Sequence, residues 1–164
     1  MNKMQWKIGA ASLLPAVATM LFVQACGGSD DAVAQATPDA AEGTWEAVVT
    51  QRDCVTSATI ATFRSSQVLH RGGTMTETNG SNPATRGPGF GNWSRNADGT
   101  YTLKFRFYRY NADGSLAGSN VVTSTRTISA DGNGYTSNNQ SQVRDVAGNV
   151  IATACVGDVG TRFN

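Results

Sequence analysis

Residues 96–114 read NADGTYTLKFRFYRYNADG, so that one turn sequence stands at both ends of a strand-like segment. Asp-Gly is typical of tight hairpin turns, because glycine supplies the positive φ angle that such turns need. Between the turns apolar and polar side chains alternate, which is the period of a strand with one buried face. The apolar positions are Tyr101, Leu103, Phe105 and Phe107, and the polar ones are Thr102, Lys104 and Arg106. The stretch therefore predicts a β-strand between two hairpin turns.

The same spacing continues on both sides of this stretch. Downstream, Asp131-Gly132 opens a further turn and residues 145–149 another, with long segments between them. Upstream, extended segments begin at Gly43, whereas residues 79–92, NGSNPATRGPGFGN, are interpreted as a Gly/Pro-rich loop. Counting from residue 43 gives about eight consecutive strands, which predicts an all-β antiparallel meander.

Eight long meandering strands close most readily into an up-and-down barrel, because closure removes exposed sheet edges. A sandwich of two sheets is the alternative. The composition suits both architectures, since charged residues make up only 15% of the chain and glycine occurs 18 times. The 164 residues are enough for one domain.

The first 25 residues have the pattern of a secretory signal. Lys3 and Lys7 precede an uncharged apolar run over residues 8–23, which Pro15 interrupts. The run is shorter than the roughly 20 apolar residues of a membrane-spanning helix. A basic start, a short apolar run and a small residue at the exit are typical of a cleaved leader. We therefore expect residues 1–25 to be a signal peptide.

The exit of this leader carries a cysteine at the cleavage position. Residues 21–26 read LFVQAC and resemble the lipobox of bacterial lipoproteins, with Gln24 as a departure from the usual pattern. The resemblance implies cleavage before Cys26, lipid on its sulfur and a fatty acyl chain such as palmitate on its amino group, so the partner is a membrane. Gly27 replaces the aspartate that retains some lipoproteins at the inner membrane, which favours the outer membrane of the cell envelope. The alternative is an ordinary secretory signal with an incidental cysteine.

The segment after Cys26 is poor in large apolar residues. Residues 27–42, GGSDDAVAQATPDAAE, have too little apolar surface to offset the entropy lost on ordering. We interpret residues 26–42 as a lipidated flexible tether and residues 43–164 as the folded domain.

The charge balance of the exported chain argues against nucleic acid as a partner. Lys3 and Lys7 are two of the 13 basic residues, so that 11 basic and 12 acidic side chains remain after cleavage. A near-neutral chain lacks the basic surface on which nucleic-acid binding depends.

The start of the domain carries a family resemblance. Gly43-Thr44-Trp45 resembles the G-x-W opening of calycin barrels, the lipocalin and fatty-acid-binding class. A wider pattern over residues 43–164 is similar to small exported bacterial proteins of unassigned function with calycin-like or allene-oxide-cyclase-like barrels. That pattern comprises Gly72-Gly73, Glu77, Arg86 to Trp93, Asp131 to Asn133, Asp145 to Asn149, Cys155 and Thr161-Arg162. The resemblance implies a fold and brings no activity with it.

Two cysteines remain if Cys26 carries lipid. Cys54 ends the first predicted strand and Cys155 lies in the last. First and last strands are neighbours in a closed up-and-down barrel, and an oxidising compartment favours a disulfide. We therefore predict a Cys54–Cys155 bond, with free or redox-active thiols as the alternative that no C-x-x-C motif supports.

The sequence offers no set of catalytic residues, no metal site and no cofactor motif. His70 is the single histidine, and no G-x-S-x-G nucleophile elbow is present. Most carboxylates of the domain lie in turns, whereas Glu77 lies on a predicted strand without an evident partner. Candidate ligand-lining residues are His70, Glu77, Trp93, Arg106 and Tyr108, although Arg106 and Tyr108 suit a solvated outer face as well.

Three functional hypotheses follow. The favoured one is a non-enzymatic envelope lipoprotein whose barrel binds a small apolar or amphipathic ligand. The second is an interaction or inhibitor module with a filled barrel and a working loop at residues 79–92. The third is an isomerase- or cyclase-like enzyme, which fold analogy alone suggests.

Overall fold

The computed structural model describes residues 37–163, and these residues form an all-β structure. Eight strands follow one another along the chain: β1 (Gly43–Arg52), β2 (Thr59–Leu69), β3 (Thr74–Asn79), β4 (Arg86–Arg95), β5 (Tyr101–Tyr110), β6 (Leu116–Ile128), β7 (Gly134–Arg144) and β8 (Val150–Arg162). The strands, turns and core lie in one compact unit, Ala36–Asn164. This unit has the properties of a domain that folds on its own.

The strands close into a barrel in the order of the chain. Each strand pairs antiparallel with the next one, and β1 pairs with β8 from Trp45 opposite Arg162 to Arg52 opposite Cys155. Every strand is thus hydrogen-bonded on both sides and no long edge remains exposed. The predicted up-and-down barrel is confirmed, and the two-sheet alternative is not found.

The repeated Asn-Ala-Asp-Gly sequences form matching hairpin turns. Gly99 and Gly114 have φ angles of 85° and 83°. The Asp98 carboxylate accepts a hydrogen bond from Thr100 N at 2.9 Å, and Asp113 accepts one from Ser115 N at the same distance. Aspartate side chains that bond the backbone two residues ahead stabilise turns of this kind.

One end of the barrel is closed by Trp45 and the residues just before β1. The indole of Trp45 is fully buried, and its Nε1 donates to the carbonyl of Ala41 at 2.9 Å. Arg162 lies over the Trp45 ring at 4.3 Å and donates to the carbonyls of Glu42 at 2.8 Å and Ala40 at 2.6 Å. The packed domain therefore begins before the predicted boundary at Gly43, because Ala41 is fully buried against the barrel.

The predicted disulfide is confirmed. Cys54, in the loop after β1, is bonded to Cys155 in β8, with 5.2 Å between the two Cα atoms and a sequence separation of 101. The bond therefore lies at the seam where the first and last strands meet.

Several predictions fall on residues 1–36, which lie outside the described part of the chain. They are the signal peptide at residues 1–25, the lipidated Cys26 and most of the tether. Within residues 37–163 no helix is long and apolar enough to cross a membrane.

Candidate functional site

A cavity of about 310 Å³ lies inside the barrel, on the side of the Trp45 layer towards Cys54. All eight strands contribute to its wall. The apolar part consists of Val49, Phe63, Leu103, Phe105, Phe107, Val122, Val143, Ala154 and Val156. Such a volume is at the lower end of the range for small-molecule pockets.

Glycines of β4 leave room for two residues of the cavity wall, Glu77 and Phe105. A Cβ atom at Gly91 would overlap Lys104 O and lie 2.5 Å from Phe105 Cα. A Cβ atom at Gly89 would lie 2.8 Å from Glu77 Oε2 and 3.0 Å from Phe105 Cδ2. The glycine-rich segment from Arg86 onward therefore belongs to strand β4, which pairs with β5. The interpretation of residues 79–92 as a loop is wrong for this part of the segment. Neighbouring side chains cover the bare backbone, which explains why these glycines do not break the strand.

A buried arginine forms part of the cavity floor. Arg126, on β6, is 1% exposed and donates from Nη2 to Oε1 of Gln67. Its guanidinium lies 3.5 Å from the centre of the Tyr135 ring, and Nη2 lies 3.8 Å from Oδ2 of Asp158. Burial lowers the pKa of Arg126, and the neighbouring Tyr135 and Asp158 oppose that shift. Nε and Nη1 have no hydrogen-bond partner among the described residues, which is uncommon for buried polar atoms.

Asp158 organises the polar side chains next to Arg126. It accepts hydrogen bonds from the Tyr135 hydroxyl at 2.7 Å, from Asn139 Nδ2 at 2.5 Å and from the Ser137 hydroxyl. Burial raises the pKa of Tyr135 above its usual range, so the phenol remains a hydrogen-bond donor. With three donors already directed at it, this carboxylate fixes the floor and has little capacity left for a ligand.

A second ion pair lies on the cavity wall. Glu77, on β3, is 5% exposed and accepts a hydrogen bond from Ser65 Oγ at 2.9 Å. Arg86 Nη2 is paired with its Oε2, and the Arg86 guanidinium lies 3.8 Å from the centre of the Phe107 ring. Glu77 is therefore neutralised and held in place by groups of the barrel itself.

Of the five candidate ligand-lining residues, Glu77 is the one that lines this cavity. Trp93 packs against the core near the closed end, 6.0 Å from the Tyr101 ring, and its Nε1 donates to the carbonyl of His70 at 3.0 Å. The side chain of His70 is exposed in the turn between β2 and β3. Arg106 and Tyr108 lie on the outer face, because their neighbours Phe105 and Phe107 point inward and strand side chains alternate.

Sequence reasoning missed Arg86, Arg126 and Asp158. Both faces of β6 carry polar residues, so the alternation there does not reveal which face is inside. Asp158 did leave a signal, since it lies within a strand segment whereas Asp98, Asp113, Asp131 and Asp145 lie in turns. An aspartate outside a turn in such a chain indicates a paired, functional or buried carboxylate.

The described residues contain no group of three or more histidine, cysteine or acidic side chains that could hold a metal ion. No protein-family model matches the chain, and no curated protein matches it significantly. The protein can therefore be classified by its fold, which is a closed eight-stranded antiparallel barrel with an interior cavity.

Proposed function

We propose that this protein is a cell-envelope lipoprotein whose barrel binds a small amphipathic molecule. The observation that carries the proposal is the interior cavity, which combines an apolar aromatic wall with a buried polar floor. Small-molecule sites have this composition, with many apolar contacts and a few polar groups that fix orientation. Lipid on Cys26 would hold the binding domain at a membrane, where amphipathic molecules are concentrated.

The interior favours binding over the two other hypotheses. A filled barrel would leave no volume of this size between its side chains. An enzyme would need an available acid or base, whereas Glu77 and Asp158 are both occupied by internal hydrogen bonds. The ligand-binding hypothesis therefore agrees best with the interior, because it needs neither a filled barrel nor a free carboxylate.

Native mass spectrometry of residues 36–164, secreted into an oxidising periplasm, tests the binding proposal. We expect a reproducible adduct that organic solvent extracts. Val122→Trp should reduce or abolish the adduct, because residue 122 lines the cavity. Thr123→Trp is the matched control, since the adjacent side chain is exposed on the outer face. An adduct that survives Val122→Trp but not Thr123→Trp would place the ligand outside the barrel and contradict the proposal.

The anchoring part of the proposal has its own test. The full chain expressed with radioactive palmitate should be labelled, and Cys26→Ser should abolish the label because the acceptor sulfur is lost. Cys54→Ser serves as the control, since Cys54 lies in the folded domain and is disulfide-bonded. Labelling that persists in Cys26→Ser would show that Cys26 is not the lipidated residue.

A further inference from the structure

The outer face of the barrel carries positive charge without matching negative charge along β4 to β7. These four strands contain basic residues but no aspartate or glutamate. Lys104 and Arg106 are exposed on the outer face of β5, and neither forms an ion pair with any of residues 37–163. This side of the barrel therefore favours an anionic partner.

Exposed aromatic rings lie next to these cations. Phe90, on β4, is 62% exposed and is the cross-strand partner of Arg106. Tyr108 is 48% exposed and lies two positions after Arg106, on the same face of β5. A guanidinium beside two accessible rings can contact an anionic group and an apolar surface of the same ligand.

These side chains line a groove on the outside of the barrel. A cleft of about 650 Å³ has Phe90, Lys104, Arg106 and Tyr108 in its wall. A second cleft of about 340 Å³ adjoins it, since Arg106 and Tyr108 line both. The second cleft also contains Arg144, whose Nε is buried and has no hydrogen-bond partner among the described residues. Two adjoining clefts form an extended groove, which suits a chain-like ligand.

The other polar groups of the groove leave its positive charge in place. Asp145 is the one acidic residue among the described residues that line it, and its carboxylate accepts hydrogen bonds from Asn149 N at 2.8 Å and Asn149 Nδ2 at 3.0 Å. Asn92 and Thr123 are exposed and are the two cross-strand partners of Lys104. Such amide and hydroxyl groups can both donate and accept hydrogen bonds, as the hydroxyls of a sugar do.

We infer that this outer groove binds an acidic polysaccharide, whose sugar rings stack on Phe90 and Tyr108 while its carboxylates pair with Lys104 and Arg106. Each part of such a chain has a counterpart in the groove, because aromatic rings cover apolar sugar faces and arginine binds carboxylates. A flat anionic membrane would use the cations without entering the clefts. An acidic peptide would also use the cations, but its charges alone give the aromatic rings no role. The groove and the interior cavity lie on opposite faces of the barrel wall, so this site is separate from the one in the proposed function.

Isothermal titration of residues 36–164 with three probes tests the ligand class. The probes are hexagalacturonate, its fully methyl-esterified form, which has the same rings without charge, and hexaglutamate, which has the charges without rings. We expect hexagalacturonate to bind about tenfold more tightly than either of the others, because only it uses both the cations and the aromatic rings. Equal binding of the methyl ester or of hexaglutamate, or no binding of hexagalacturonate, would overturn the inference.

A charge variant tests whether the groove is the place of binding. Lys104→Gln combined with Arg106→Gln should weaken hexagalacturonate binding about tenfold. Arg52→Gln combined with Arg64→Gln is the matched control, since it removes the same charge from exposed residues of β1 and β2. Equal weakening in both variants would reduce the effect to overall charge and overturn the inference.

A second variant tests the aromatic rings. Phe90→Ser combined with Tyr108→Ser changes exposed side chains and should also weaken hexagalacturonate binding about tenfold, without affecting hexaglutamate. Unchanged hexagalacturonate binding in this variant would show that the rings take no part, and the inference would be wrong. Sedimentation with phosphatidylglycerol vesicles examines the membrane alternative. If the vesicles bind through Lys104 and Arg106 and hexagalacturonate does not compete, the groove is a membrane contact and the inference fails.

Discussion

Tyr135 connects the closed end of the barrel with the floor of the cavity. Its ring packs edge-on against Trp45, with 5.3 Å between the ring centres, and its face lies against the Arg126 guanidinium. Its hydroxyl donates to Asp158 at 2.7 Å. One side chain therefore contributes apolar packing, a cation–π contact and a hydrogen bond to a buried charge.

The hydroxyl of Tyr135 can be tested separately from its ring. Tyr135→Phe keeps the ring contacts but removes a donor to a buried carboxylate, so the free energy of unfolding should fall by about 1.5–3 kcal/mol. Tyr108→Phe is the control, because Tyr108 is 48% exposed on the outer face and should change stability by less than about 0.5 kcal/mol. Urea unfolding of both variants measures the difference, and equal stabilities would contradict the role given to this hydrogen bond.

At the scale of single elements, β4 depends on the absence of side chains. Gly89 and Gly91 face the barrel interior, where Glu77 and Phe105 occupy the space in front of them. Pro88 is tolerated because the pairing of β4 with β5 shifts register between Arg86 and Gly89. The sequence did not predict this strand, since its glycines and proline are typical of loops and their neighbours in the barrel are distant in sequence.

Gly91→Ala should therefore destabilise the barrel. The added Cβ would overlap Lys104 O and press on Phe105 Cα, both on a strand that is paired on its two sides. We expect a loss of about 1–3 kcal/mol in the free energy of unfolding, as for other overpacked interiors. Gly80→Ala is the matched control, because the nearest atom to its Cβ would be Arg64 O at 3.9 Å. A loss in Gly80→Ala as large as that in Gly91→Ala would rule out overpacking as the cause.

The hairpin turns make the barrel sensitive to acid. Hydrogen bonds from Thr100, Ser115, Ser129 and Asn149 lower the pKa values of Asp98, Asp113, Asp131 and Asp145 respectively. A carboxylate whose pKa is lower in the folded state stabilises the fold above its unfolded pKa, near 3.9, and loses that effect as the pH falls through the folded value. The barrel should therefore lose stability below about pH 4.

Replacing the four turn aspartates by asparagine tests this effect. The amide oxygen still accepts the turn hydrogen bonds but does not titrate. The urea midpoint of the variant should fall less between pH 5 and pH 3 than that of the wild type. An equal fall in both proteins would assign the acid sensitivity to other groups.

At the scale of the whole molecule, the sequence predicts the barrel better than its interior. Strand number and closure follow from local signals, namely turns such as Asp113-Gly114 and the need to cover sheet edges. The cavity depends on which faces meet after closure, and so on contacts such as Gly91 with Phe105 or Arg126 with Gln67, 59 residues away. No local pattern contains that information, which is why Glu77 was found as a lining residue and Arg126 was not.

The seam between β1 and β8 joins the two most distant strands of the chain, and the disulfide fixes it. Closing this loop of 101 residues removes much of the freedom of the unfolded chain. In the chain-entropy model, replacing Cys54 and Cys155 together by serine should therefore lower the free energy of unfolding by about 4–5 kcal/mol. Guanidinium unfolding of the double variant measures this loss, and the wild type unfolded in excess dithiothreitol is the matched control, since it lacks the same bond with its sequence unchanged. If both lose less than about 1 kcal/mol, the hydrogen-bonded seam holds the barrel closed without the bond. If the double variant and the reduced wild type both lose about 4–5 kcal/mol, the covalent link stabilises closure, and the identity of the two side chains does not.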